Sequence, residues 1–158
     1  MLCGLTGCAF GRKEKEIDPK RSPHDYVRQV LQNIQDYLKE GDADSLCAMF
    51  ADYYNVTLQE VQGMMNFIDG KIVSFDNNSI RPGAKEVYYG EYKLYSYGGR
   101  FTFSTNTGTE YKGYFAGYAV YNEEPEKVGL EDIYIENLMD TSLGYGLGSY
   151  QSVLTENK

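Results

Sequence analysis

A chain of 158 residues with 42% hydrophobic and 24% charged side chains matches one ordinary globular domain, and it excludes both a disordered polymer and a disulfide scaffold. Aromatic residues reach 15%, with 16 Tyr, 7 Phe and no Trp, so the aromatic surface is amphipathic and suits a half-wet sheet or a polar cleft. The formal charge is -8; five of the 15 basic and three of the 23 acidic residues fall in the first 21 positions, leaving 10 against 20 in the remaining 137, a balance that repels nucleic acid and leaves a cationic protein or ligand open as partner.

The N-terminus carries an address. Leu5-Thr6-Gly7-Cys8 reads as a bacterial lipobox, an aliphatic and two small residues before a cysteine that is acylated and becomes the new N-terminus. Only Met1 to Thr6 and the glycine stand before it, short of the basic n-region and the apolar stretch of about 7 to 15 residues that a secretory signal needs. Two readings follow. Either the apolar Met1-to-Leu5 stretch is the tail of a longer signal, which places the protein lipid-anchored on the outer face of a bacterial cytoplasmic membrane, or Met1 is a genuine start and the protein is cytoplasmic. Gly11 to Arg21 (GRKEKEIDPKR) is charged and reads as a solvated tether. No run of about 18 apolar residues exists, so the only expected membrane contact is through lipid on Cys8. The other cysteines, Cys3 and Cys47, complete no disulfide framework or metal-ligand spacing, and Cys47 reads as a small hydrophobe in a helix.

Three helices come next. The first is predicted to start with Ser22 as N-cap, Pro23 at the first helical position and Asp25 completing a capping box; Val27, Val30, Leu31, Ile34 and Leu38 form its apolar stripe, and Gly41 ends it. The sole histidine, His24, falls in its first turn as a solvent-facing residue of the capping region. A second helix is expected from the Asp42 cap through Leu46, Cys47, Met49 and Phe50 to about Tyr53-Tyr54. A third is set by a Thr57/Glu60 capping box and a Val56/Val61 hydrophobic staple, and stops at Gly70.

Strands follow from Lys71 to Phe75, Lys85 to Tyr97, Arg100 to Thr105, Thr109 to Tyr121 and Leu130 to Glu136. The expected breaks are Asn77-Asn78, Arg81-Pro82-Gly83, Gly98-Gly99, Asn106-Thr107-Gly108 and the loop Asn122 to Lys127. Strand 109–121 is apolar or aromatic on both alternating sets and is therefore expected to be central, with Gly113 and Gly117 marking a bend or the close approach of a helix. Residues 139–158 lose periodicity and read as a Gly/Tyr-rich flexible C-terminal tail; Gly144, Gly146 and Gly148 follow no βα unit and carry no Lys, so a phosphate-binding loop is set aside. The domain plan is thus a signal remnant and tether at 1–21, a folded domain at 22–138 and a tail at 139–158.

The fold class is α+β, three N-terminal helices packed on a strongly curved antiparallel sheet. The helix-to-strand join FIDGKIVSFDN and the later YAVYNEEPEKVGLEDIYI make the resemblance specific: over residues 22 to 138 the chain resembles a family of uncharacterised bacterial lipoproteins with the nuclear transport factor 2-like, cystatin-like cone. The resemblance implies a fold and a location but no activity.

Enzymes on that fold move a proton with a carboxylate, often beside a Tyr or His, within the cone. Asp36, Asp52, Asp69 and Asp76 and the strand residues Tyr114, Tyr118 and Tyr134 supply candidates, although 16 Tyr and 23 acids make some such meeting inevitable. Tyr114 and Tyr118 flank Ala116 on one side of a central strand, about 13 Å apart at about 3.3 Å per residue. Facing the helices they would floor a pocket; facing away they would form a docking surface. The leading expectation is a non-catalytic, extracytoplasmic binding module for a small ligand or a protein, with Tyr114, Tyr118 and Tyr134 as its candidate surface and with no cofactor, metal or nucleic acid. The alternatives are an acidic inhibitor or immunity-type protein that masks a basic partner, and a small isomerase or dehydratase using a carboxylate/Tyr pair.

Overall fold

The computed structural model describes residues 17–150 and is α+β: helices α1 (Pro23–Glu40), α2 (Ala43–Ala48) and α3 (Leu58–Phe67) precede a curved, open antiparallel sheet. Its strands are β1 (Ile72–Tyr88), β2 (Glu91–Thr105), β3 (Glu110–Tyr121), β4 (Gly129–Asn137) and β5 (Gly144–Gly148), in the spatial order β1-β2-β3-β4-β5. Every neighbour is also the next strand in sequence, so two tight turns and two short loops connect the whole sheet.

All five stripe residues of α1 are buried, and they meet Phe101, Phe103, Phe115, Leu130, Ile133 and Ile135 from one face of the sheet in a single core. Gly41 closes the helix in the left-handed conformation, φ 71°, its N–H returning to the Tyr37 carbonyl. At the other end the expected capping box is absent. The Ser22 side chain makes no cap bond, and its amide donates to the Asp18 carbonyl at 3.0 Å, so Asp25 is left to pair with Arg28 at 3.2 Å in an exposed contact one turn along the helix. His24 is exposed in that first turn, 3.3 Å from Arg28. At the start of α3 the capping box is as read, with the Glu60 amide donating to the Thr57 hydroxyl at 3.3 Å and the Thr57 amide to the Glu60 carboxylate at 2.7 Å, whereas the helix ends at Phe67, short of the expected stop at Gly70.

Helix α2 is shorter than its apolar pattern suggests. Asp42 caps it through the Ser45 amide at 3.0 Å, but the helix ends at Ala48 because the next residues are drawn to the sheet. The Leu130 amide donates to the Met49 carbonyl at 2.8 Å and the Ala51 amide to the Leu130 carbonyl at 2.9 Å, so Phe50 bridges to β4 before a single 3-10 turn, Asp52–Tyr54. Two backbone bonds to β4 outcompete continued helix. Cys47 packs against the core half-buried, its thiol donating to the Val56 carbonyl at 3.6 Å while burial pushes its pKa up.

The strand boundaries are where sequence reading fails most. Asn77-Asn78 and Arg81-Pro82-Gly83 do not break β1; they are absorbed as register shifts between Asp76 and Ser79 and between Pro82 and Lys85, as edge strands allow. The real turn is Tyr89-Gly90, in the middle of the expected strand 85–97, with both residues in the left-handed region at φ 50° and 80°. Gly98-Gly99 conversely lies inside β2, where a side chain on Gly99 would collide with the Phe115 ring and the Ser79 backbone. Glycine there signals crowding, not a turn. Gly113 and Gly117 do share the core face of β3, the middle strand, but aromatic side chains of β2, Phe101 and Tyr97, approach them in place of a helix.

The segment after Leu138, expected as a flexible tail, supplies β5 along β4, with Ile133 opposite Leu147 and Ile135 opposite Tyr145. Leu147 is fully buried, and the Tyr145 ring lies 6.0 Å from Phe67 of α3. The alternating glycines hid this strand: Gly144 and Gly146 lie beneath the rings of Tyr134 and Tyr150, where a side chain on Gly144 would overlap Tyr134. Among the described residues, no helix is long and apolar enough to cross a membrane.

Candidate functional site

Strand alternation decides where the expected tyrosines go. Tyr111, Phe115 and Ala119 of β3 face the helices, so Tyr114, Ala116 and Tyr118 must face the other way, on the outer side of the sheet. Of the two orientations open from sequence, the structure selects the outward one. Tyr114 and Tyr134 lie on opposed residues of β3 and β4 with ring centres 6.2 Å apart, and Tyr134 stacks on Tyr150 at 4.6 Å and 13°. The Lys112 ammonium sits 4.8 Å from the Tyr114 ring. These three rings and a cation make an aromatic strip, half-buried at Tyr114 and Tyr134 and exposed at Tyr150.

Tyr118 belongs elsewhere. Its ring lies 4.9 Å from Tyr121, and burial, followed by the nearby Glu131 carboxylate, pushes its pKa up. Beside it, Lys127 bonds the Glu124 carboxylate at 2.8 Å and lies 4.6 Å from the Tyr53 ring and 5.8 Å from Tyr121. The Lys127–Glu124 bond raises the lysine pKa and lowers that of Glu124. One cation held by a carboxylate and two aromatic faces thereby fastens the 122–128 loop to the 52–54 turn. Cys8 lies outside the described residues.

One open space was not located from the sequence. At the end of the sheet where β3 gives way to the 122–128 loop, a cavity of about 610 Å³ opens between α1, residues 48–52 and residues 125–130. Tyr97 forms part of its wall, a fully buried phenol whose hydroxyl donates to the Gly129 carbonyl at 3.4 Å. Gly117 makes that seat possible, since any side chain there would collide with both the hydroxyl and the carbonyl. Tyr26 of α1 meets Tyr97 edge-to-face, ring centres 6.4 Å apart. Burial raises the pKa of both phenols, Tyr97 well beyond the usual range; the Tyr97 hydrogen is committed to Gly129, so of the two it is Tyr26 that can donate to a ligand.

One helical turn from Tyr26, Gln29 donates to Asn33 at 2.8 Å, adding an amide pair to the wall. Val30, Met49, Phe50, Val128 and Leu130 supply apolar surface. The charged residues of the lining are Asp52 and Glu126, both exposed, and no basic side chain occurs among the described residues that form it. Such a lining can hold a mainly apolar molecule, orient it by phenol and amide hydrogen bonds, and tolerate a positive charge near the rim, but not a negative one.

The other acids considered from sequence do not gather there. Asp36 accepts from Gln32 on the exposed face of α1, Asp69 lies in the turn before β1, and Asp76 is exposed on β1; only Asp52 borders the cavity. Among the described residues no cluster of three or more His, Cys, Asp or Glu could hold a metal ion. The signal that could have found Tyr97 was present: Tyr95, Tyr97, Gly99, Phe101 and Phe103 share one parity, and with the turn placed at Tyr89-Gly90 they become one inward-facing row.

A family model for a domain of unknown function, DUF5104, matches residues 33–141, which takes in the C-terminal part of α1, both remaining helices and β1 through β4. Among curated proteins none matches the chain.

Proposed function

The chain belongs to the DUF5104 family, whose description assigns no activity, and from that premise we propose that it is a non-catalytic binding module of the nuclear transport factor 2-like kind, held at the outer face of a bacterial membrane by lipid on Cys8. Its site in this reading is the cavity between α1 and the 122–128 loop. One observation carries it: the lining joins the buried Tyr97 phenol to the half-buried Tyr26, Gln29 and Asn33 side chains, and its carboxylates stand exposed. The space is of a size that encloses a small organic ligand. The ligand in this reading is compact, largely apolar, neutral or cationic, and carries a hydrogen-bond acceptor for Tyr26.

Three ring compounds of similar size and different charge test the pocket: benzylamine, benzyl alcohol and benzoate, followed by ligand-observed nuclear magnetic resonance. The amine and the alcohol should bind and benzoate should not. Ala48→Phe, which fills the cavity from an exposed helix position, should abolish both signals without moving the urea midpoint. Equal binding of benzoate, or signals that survive Ala48→Phe, would end this assignment. The isomerase alternative would have to use Asp52 or Glu126; turnover lost on Asp52→Asn in a folded chain would replace the binding reading by it. Intact mass of the protein from membrane and cytosolic fractions tests the anchor: an acylated chain beginning at Cys8 is expected, and an unmodified chain starting at Met1 found solely in cytosol would remove it.

A further inference from the structure

Strands β1 and β2 outrun the rest of the sheet. The last pair between β2 and β3 is Leu94 with Tyr121, whereas β1–β2 pairing continues to Tyr88 with Glu91. Residues 81–91 are all exposed, and the overhang ends in Val87, Tyr88 and Tyr89 at 53%, 59% and 90% exposure. The last two rings touch edge-on with centres 4.4 Å apart. Tight hairpin turns with two left-handed residues ordinarily use Asn-Gly or Asp-Gly. Here a bulky Tyr occupies the first of those positions at φ 50°, a strained choice that keeps an aromatic ring at the extremity.

Two further observations say what the tip meets. Residues 87–93, beyond the last β2–β3 pair, carry Glu91 against Lys93 and so no net charge, whereas residues 22–158 as a whole hold 10 basic against 20 acidic side chains. The overhang also leaves the sheet where the 122–128 loop begins, and Ile17 and Pro19 line the cavity together with that loop. The chain therefore enters the described structure at the same end as the ribbon.

Distances make the two compatible. Leu94 to Tyr89 is five residues, about 17 Å of extended strand. Cys8 to Ile17 is nine residues, which reach about 30 Å when extended. A surface holding an acyl group on Cys8 is thus within range of the tip. With the tip on that surface the acidic body stands off by about 17 Å, beyond the Debye length of about 8 Å at physiological salt, and its repulsion from anionic lipid is screened.

We propose that the Val87-Tyr88-Tyr89 tip is a lipid-interface contact, setting its phenol rings at headgroup level in the membrane that carries the N-terminus. Tyrosine suits that depth, one end of its ring apolar and the other wet. Two rings and a valine bind a bilayer weakly alone; tethering raises their local concentration and makes the contact persistent. The inference rests on the anchored reading for what brings the surface near, so its test supplies the tether independently of Cys8.

The chain has no Trp, so Tyr89→Trp creates a single fluorophore at the tip, and Val73→Trp, at a position 55% exposed near the opposite end of β1, creates its control. The full chain with an N-terminal hexahistidine extension is bound to vesicles of phosphatidylcholine and nickel-chelating lipid, with and without phosphatidylglycerol. Emission from the Tyr89→Trp protein should shift to shorter wavelength and be quenched by lipids brominated high on the acyl chain, while the Val73→Trp protein should show neither change. The same emission from both proteins on vesicles would overturn the proposal. So would a dimer in vesicle-free sedimentation that dissociates on Tyr88→Ser with Tyr89→Ser, since the tip would then dock a second copy. Because chelation replaces acylation, a negative result here is separate from a failure to find lipid on Cys8.

Discussion

Replacing Leu147 by Ala isolates the energetic contribution of β5. Leu147 is fully buried and sits opposite Ile133, itself fully buried, while its neighbour Tyr145 reaches across to Phe67 of α3. Packed on both sides by core residues, the site has little freedom to collapse, and truncating a buried Leu to Ala costs about 2–5 kcal/mol from lost transfer energy and residual cavity. For a chain of this size roughly 2–4 °C of melting temperature is lost per kcal/mol, so the variant should melt roughly 4–20 °C lower. Its urea midpoint should fall by roughly 1–2.5 M at a denaturant slope of about 2 kcal/mol/M. Leu143→Ala is the matched control, since Leu143 is 47% exposed in the turn before β5 and its loss should stay near 0.5 kcal/mol. Circular dichroism melts and urea titrations of both variants decide the matter. If Leu147→Ala unfolds with the same midpoint as the parent chain, β5 is not part of the cooperative fold and residues 139–158 are the loose tail that their glycines suggest.

Thr57→Ala should lower stability by about 0.5–2 kcal/mol in urea denaturation, because it removes the hydroxyl that accepts from the Glu60 amide at the start of α3. Gly113→Val should cost about 1–3 kcal/mol by forcing the Phe101 ring from its place, again read as a urea midpoint. Asp132 is a half-buried carboxylate whose pKa is raised by burial, with Ser149 donating to it at 2.9 Å and partly opposing the shift. A raised folded-state pKa means that the native chain holds this proton more tightly than the unfolded chain, so the group weakens the fold above its folded pKa and the penalty fades as pH drops through the carboxylate range. Asp132→Asn, which keeps an acceptor for Ser149, should therefore stabilise the chain at pH 7 and lose that advantage in acid; a gain that persists or grows below the carboxylate range would contradict the assignment.

Local sequence chemistry was enough for α1, for the starts of α2 and α3 and for the α+β class. The stripe of α1, its Gly41 terminator, the Asp42 cap and the Thr57/Glu60 box all act within a few residues of one another, so their geometry is written into their spacing. The order of helices before strands was legible for the same reason, and so was the central place of β3, apolar or aromatic on both alternating sets. The Ser22/Asp25 box failed because the Ser22 amide that it needs is taken by the Asp18 carbonyl in the turn before the helix.

What only the tertiary structure decided concerns residues whose meaning depends on something distant. A glycine reads as a turn unless a ring from another strand occupies its side-chain space, and Phe115 over Gly99 and Tyr134 over Gly144 are contacts between strands. Reading Gly98-Gly99 as a turn and missing Tyr89-Gly90 broke the inward row of β2 in two, and with it the means of finding Tyr97. The face that Tyr114 and Tyr118 present could not come from alternation alone, because alternation separates two faces without saying which one the helices cover. The cavity is remoter still: its walls come from α1, the 48–52 bend and the 125–130 segment, brought together by two backbone hydrogen bonds between Leu130 and the chain at Met49 and Ala51, a pairing across some eighty residues that no local pattern encodes.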